Sequence, residues 1–163
     1  MKKFITLSAV VCLALGANAQ TSFTDDFESY TLNQYVGPQS ADWTVWSGVG
    51  GEGTTEDAMV VNTQASSGAQ SLRFSGTSAS GGPQDVVTYF GGQHNMGTFM
   101  YEQDMFIESG KGGYFNFQAN TVIGQVWALE VYINQSGNFQ MSNTSGVFLT
   151  GTFPTATWFT LTF

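Results

Sequence analysis

The sequence predicts an all-β domain, and three observations support this class. Short segments of alternating apolar and polar residues recur along the chain, separated by clusters of glycine, serine, asparagine and proline. No segment repeats apolar residues with the 3.6-residue period of an amphipathic helix. Aromatic residues make up 15% of the chain and charged residues only 10%, a balance that favours a folded domain over a disordered one. Short strands at this spacing are typical of a two-sheet antiparallel sandwich or a barrel.

The first 19 residues have the pattern of a signal peptide. Lys2 and Lys3 form a positive start, and residues 4–15 are apolar. That run is shorter than the roughly 20 residues of a membrane-spanning helix, which argues against the alternative of a retained anchor. An Ala-Asn-Ala cleavage site follows at residues 17–19. We therefore expect a secreted or cell-surface protein without stable membrane insertion, whose single domain spans residues 20–163.

Cleavage would change both the cysteine content and the charge. The only cysteine, Cys12, and two of the four basic residues would be removed. Arg73 and Lys111 then remain against 12 acidic residues, a net charge of −10. A cysteine-free exported domain fits a bacterial origin, since eukaryotic secreted domains often carry disulfides. The negative charge excludes nucleic acid and anionic membranes as partners and favours cations or neutral ligands such as sugars.

Alternation and turn residues place the strands in chain order. Five are predicted in the first half, where turn-forming clusters at 48–54, 66–68, 78–83 and 91–92 separate most of them: 23–28, 43–46, 58–63, 70–75 and 86–90. Five follow in the second half, with turns at 109–113, 135–138 and 144–146: 98–107, 113–119, 126–133, 139–142 and 158–163. The last strand alternates cleanly up to Phe163 without a following turn. We expect the closing strands to be missing and the chain to be part of a longer protein with further domains.

Three stretches resemble the concanavalin A-like, laminin G-like jelly-roll domains of exported bacterial proteins. They are the opening FTDDFESY at 23–30, the tryptophan strand WTVW at 43–46, and ASSGAQSLRF at 65–74, which is similar to a hairpin of that family. The segment TWFTL at 157–161 resembles the strand that leads into the family's last hairpin. The resemblance implies two stacked antiparallel sheets, the concave one often carrying a glycan site.

Four consecutive predicted strands, from residue 98 to 142, combine an apolar face with a polar and aromatic one. If they are neighbours in a sheet, their outward side chains form one patch. Sugars are bound by aromatic rings and planar polar groups, and this patch offers both. The alternative is an ordinary solvated sheet face. The candidate ligand-binding residues are Glu102, Asp104, Tyr114, Asn116, Gln118, Glu130 and Tyr132, with Gln140 and Ser142 beside them.

A glycosidase of the same fold is an alternative, because Glu102, Asp104 and Glu108 lie on one predicted strand. A retaining enzyme needs two carboxyl groups about 5–5.5 Å apart. Glu102 and Glu108 would be roughly 20 Å apart in a flat strand. The spacing therefore argues against catalysis, and we assign no catalytic residue.

The acidic opening segment is a candidate calcium site. Its carboxylates have the hard oxygens that Ca²⁺ prefers, although no run has EF-hand spacing. The candidate ligands are Asp25, Asp26 and Glu28, together with the loop residues Glu52, Glu56 and Asp57. The resemblance implies a structural Ca²⁺ near the first strand; the alternative is solvated charge. The sequence thus favours a non-catalytic module that binds a glycan or another extracellular ligand. A structural or adhesive sandwich without a small ligand is the remaining alternative.

Overall fold

The computed structural model describes residues 22–76, 81–91 and 97–163. The predicted signal peptide lies outside these residues and stays a prediction. Within the described part of the chain, no helix is long and apolar enough to cross a membrane.

In the described ranges, the regular structure consists of ten short strands and two 3₁₀ turns. The 3₁₀ turns are Gly37–Gln39 and Gly48–Gly50. The strands are β1 (Trp43–Val45), β2 (Met59–Val61), β3 (Ser71–Arg73), β4 (Val86–Thr88), β5 (Glu102–Phe106), β6 (Gly113–Gln118), β7 (Trp127–Ile133), β8 (Asn138–Asn143), β9 (Gly146–Thr152) and β10 (Trp158–Thr162). The prediction of an all-β chain is confirmed.

All strand pairings among the described residues are antiparallel. β6, β7, β8 and β9 form one four-stranded sheet in that order, joined by successive hairpins. The other strands form three pairs: β1 with β4, β2 with β3, and β5 with β10. Several antiparallel sheets are therefore present, while the jelly-roll connectivity expected from the resemblance stays a prediction.

The main core lies on the inner face of the four-stranded sheet. Val131, Ile133 and Met141 are buried there together with Ile107, just after β5. Side chains of β5 and β10, among them Met105 and Phe159, pack against this cluster. Alternation along β7 sends Val131 and Ile133 into the core, which leaves Glu130 and Tyr132 on the opposite face.

A buried carboxyl group organises the N-terminal part. Asp57 has 0% exposure, and its oxygens accept backbone N–H bonds from Gly37 at 3.1 Å, Gly53 at 2.9 Å and Ala58 at 2.7 Å. These bonds join the first 3₁₀ turn, the 48–57 loop and the start of β2. From the sequence, Asp57 was predicted only as a candidate calcium ligand; in the structure its oxygens are instead bonded to backbone N–H groups.

The strand predicted at 23–28 was wrong. Asp25 Oδ1 accepts the backbone N–H of Phe27 at 2.9 Å, and Asp26 Oδ1 accepts that of Glu28 at 3.1 Å. Such local bonds compete with a strand ladder. Phe27 also has a φ of 62°, outside the β region.

β9 was not predicted. Its apolar residues, 147–149, are consecutive rather than alternating, so they gave no period-2 signal. The strand forms because Gly146, with a φ of 109°, closes a tight hairpin with β8.

Candidate functional site

The outer face of the four-stranded sheet brings together polar and aromatic side chains from β6, β7, β8 and β9. Tyr114 pairs with Tyr132, and Asn116 pairs with Glu130. Tyr132 in turn pairs with Gln140, which pairs with Thr150 on β9. A cross-strand row therefore runs from Tyr114 to Thr150. We call this surface the tyrosine face, defined by Tyr114, Asn116, Glu130, Tyr132, Gln140 and Thr150.

Two exposed tyrosine rings form its centre. The ring centroids of Tyr114 and Tyr132 are 4.7 Å apart, and the ring planes are tilted by 44°. The side chains are 46% and 45% exposed. Opposed side chains in an antiparallel pair lie close enough for such contact, which stabilises the sheet as well. Part of each ring nevertheless stays open to a ligand.

Glu130 fixes the two phenol groups. Its Oε1 atom accepts a hydrogen bond from the Tyr114 hydroxyl at 3.0 Å and from the Tyr132 hydroxyl at 2.9 Å. Burial, followed by the bond to Glu130, raises the pKa of Tyr114. The bond to Glu130 is the largest cause of the raised pKa of Tyr132. Both hydroxyls thus keep their protons at neutral pH and direct them at one carboxylate.

A shallow groove of about 680 Å³, open to solvent, continues from Tyr132 across β8 and β9. Gln140 and Thr150 line it with side-chain polar groups. At its end, Asn134 Oδ1 accepts the backbone N–H groups of Ser136 and Asn138, so it is held within the β7–β8 turn. Asn138 and Thr152 complete the polar lining.

The structure places the β5 candidates elsewhere. β5 pairs with β10 rather than β6, so Glu102 and Asp104 do not continue the row that contains Tyr114. Asp104 accepts hydrogen bonds from Ser66 at 2.5 Å and Thr160 at 2.6 Å, and these bonds lower its pKa. Asp104 therefore ties β5 to β10 and to the 62–70 loop.

Two further candidates differ in their availability to a ligand. Gln118 Oε1 accepts the backbone N–H of Gly124 at 2.6 Å, which holds the β6–β7 connection. Asn116 lies two residues after Tyr114 on the same outer face of β6, where it pairs with Glu130. Of the seven predicted ligand-binding residues, the sheet brings four together at the ring pair: Tyr114, Asn116, Glu130 and Tyr132.

The carboxylates proposed for calcium have separate partners. Asp25 Oδ2 accepts bonds from Tyr30 at 2.7 Å and from the Trp43 indole at 2.8 Å. Glu28 Oε1 accepts the backbone N–H groups of Ala69 and Gln70, both at 2.7 Å. In the described ranges, no group of three or more acidic, histidine or cysteine side chains is arranged to hold a metal ion. Calcium binding by Asp25, Asp26 and Glu28 stays a prediction.

The part of the site that lies on β9 was not predicted from the sequence. Thr150 and Thr152 lie on a strand that was not predicted, and Asn138 was assigned to a turn. The available signal was the Asn-Thr-Ser-Gly run at 143–146, which is typical of a hairpin turn between two strands.

Comparisons with known proteins do not identify a family. No family model matches the chain, and no curated protein or solved structure matches it. The function is therefore argued from the geometry of the tyrosine face and from the sequence.

Alkaline pH is expected to weaken the fold through its tyrosines. Burial raises the pKa of Tyr101 from 10.0 to about 12, so the native state keeps a proton that the unfolded chain releases. The unfolded state then binds fewer protons, and stability falls as pH rises from about 10 to about 12, by about 1.4 kcal/mol per pH unit for Tyr101. Urea unfolding across this range measures the loss. Tyr101→Phe should flatten the curve, and an equally steep curve for this variant would contradict the assignment.

Proposed function

We propose that this protein is an exported, non-catalytic module that binds carbohydrate on the tyrosine face. The observation that carries the proposal is the exposed Tyr114–Tyr132 pair, whose two hydroxyls are held by one carboxylate beside a polar groove. A concanavalin A-like jelly-roll fold completes the proposal. The sequence resemblance supports that part.

The side chains of the tyrosine face match the surface of a sugar ring. One face of a pyranose is largely C–H and packs on an aromatic ring, while its edge carries hydroxyl groups that donate and accept hydrogen bonds. Gln140 offers an amide with both donors and an acceptor, and Thr150 offers a hydroxyl. Gln140 and Thr150 line the groove next to Tyr132, which supports the proposal that they bind the edge of a sugar stacked on that ring.

The geometry favours binding over a purely structural face. Cross-strand tyrosine contact explains the position of the rings. It does not explain why both phenol groups converge on one carboxylate, since exposed hydroxyls are satisfied by water at little cost. A fixed pair of rings loses less conformational entropy when a ligand binds than two freely rotating ones do.

Retention of the purified protein on insoluble polysaccharides tests the proposal. We expect the protein to be retained on at least one neutral member of a panel of cellulose, xylan, mannan, galactan and chitin. Tyr132→Ala should weaken that binding about tenfold, the effect of losing a stacking contact of on the order of 1 kcal/mol together with its polar group. Equilibrium depletion of the protein from solution gives the affinity.

Tyr89→Ala is the matched control. Tyr89 is 44% exposed, almost as much as Tyr132, but it lies next to β4 and away from the tyrosine face. The control should bind like the unmodified protein. Failure of the folded protein to bind any panel member would refute the proposal, as would equal losses in Tyr89→Ala and Tyr132→Ala. Release of reducing sugars from a panel member would instead indicate the glycosidase alternative.

A further inference from the structure

The charge pattern of the second half of the chain isolates Glu130. It is the only charged residue between Lys111 and Phe163. This single carboxylate lies in the middle of β7, on the outer face of the sheet, and not in a turn. The other members of the tyrosine face carry phenol, amide or hydroxyl groups. One negative charge therefore dominates the electrostatics of this surface.

The hydrogen bonds place that charge directly at the ring pair. Two phenols from neighbouring strands donate to the same oxygen, Oε1 of Glu130. Because their protons point at the carboxylate, the phenol oxygens present lone pairs to a ligand that donates hydroxyl groups. A ligand stacked on Tyr114 or Tyr132 consequently lies within a few ångströms of a carboxylate.

The register gives the direction of a bound chain. One row of cross-strand partners runs across the four strands, in the order Tyr114, Tyr132, Gln140 and Thr150. With neighbouring strands about 4.8 Å apart, three intervals extend over about 14 Å. The groove follows the same direction from Tyr132 to Thr150. This shape fits a linear oligosaccharide better than a single sugar.

Resting on the proposed function, we infer that the ligand is a linear polysaccharide without acidic groups, bound across the strands. In this inference Glu130 is the positioning residue that holds both tyrosine rings and the residue that rejects acidic chains. A ligand carboxylate near Glu130 would meet a like charge at a partly desolvated surface, where repulsion between charges is stronger than in bulk water. We expect about tenfold discrimination between a neutral chain and its acidic form.

The test compares one polymer in two charge states. The probes are the neutral polysaccharide that the panel retains and the same polymer after carboxymethylation; for cellulose they are hydroxyethyl-cellulose and carboxymethyl-cellulose. Calorimetric titration should show about tenfold tighter binding of the neutral form at low salt. The ratio should shrink near 1 M NaCl, where the Debye length falls to about 3 Å. A merely structural role for Glu130 predicts the same salt dependence in Glu130→Gln as in the unmodified protein.

Glu130→Gln is the decisive variant. Its amide oxygen accepts phenol hydrogen bonds more weakly than a carboxylate does, so affinity for the neutral polymer should fall by about three- to fivefold. The preference for the neutral form should fall to about twofold, since the like charge is gone. Glu102→Gln changes the net charge equally but lies on β5, outside the tyrosine face, and should keep the full preference.

The outcomes separate this inference from the function on which it rests. Retention on no polysaccharide would refute both. Binding of the neutral polymer together with an unchanged preference in Glu130→Gln would overturn only the inference. Equal binding of the neutral and carboxymethylated forms by the unmodified protein would overturn it as well.

Discussion

Replacing Asp57 with asparagine is expected to lower the free energy of unfolding by about 2–4 kcal/mol. The side chain is fully buried, and its oxygens accept N–H groups from Gly37, Gly53 and Ala58. Asparagine has the same shape but only one acceptor oxygen. Its NH₂ group would face a backbone donor, which leaves that buried donor without a partner, and each such loss costs about 1–3 kcal/mol.

The surroundings leave little room for the asparagine to adjust. A Cβ atom at Gly37 would lie 2.7 Å from Asp57 Oδ2, so the chain passes close to the carboxyl group because a glycine is present. Urea unfolding measures the change, and Asp42→Asn is the matched control, since Asp42 is exposed. A similar midpoint for Asp57→Asn and Asp42→Asn would show that the buried bonds contribute little.

Local patterns predicted the half of the site that lies on β6 and β7. Alternation assigned Tyr114, Glu130 and Tyr132 to the outer face and Val131 to the core, as the structure shows. This works because the side-chain period of a strand is two and because β6 and β7, consecutive in the chain, pair with each other. The contact between the rings then follows from register alone.

Contacts between distant segments could not be predicted in the same way. β5 was assigned correctly as a strand, but its partner is β10, and Asp104 contacts Thr160, 56 residues away. Neither alternation nor turn chemistry encodes such a pairing. The same limit applies to Asp57, whose role depends on Gly37 from another loop. An acidic residue in a glycine-rich loop looks like a solvated charge until the fold brings backbone donors to it.

Gly112→Ala is expected to destabilise the protein by about 1–3 kcal/mol, the range for added volume in a tightly packed region. A Cβ atom at this position would lie 2.4 Å from the carbonyl oxygen of Ile133 on β7. That oxygen belongs to a ladder strand and cannot rotate away as a side chain would. The backbones of β6 and β7 must therefore separate where β6 begins.

Separation of the β6 and β7 backbones at Gly112 should also displace side chains of the tyrosine face. Tyr114 is two residues from Gly112 and pairs with Tyr132, next to Ile133, so the rings and their shared bonds to Glu130 would shift. Gly113→Ala is the control, since its Cβ atom would meet only Ile107 Cδ1 at an ordinary 3.7 Å. The free energy of unfolding, measured with urea, and the affinity for the polysaccharide should both decrease in Gly112→Ala. Both should stay unchanged in Gly113→Ala. If Gly112→Ala is less stable but keeps its full affinity, ligand binding does not depend on the spacing of the two rings. That result would argue against the tyrosine pair as the binding surface.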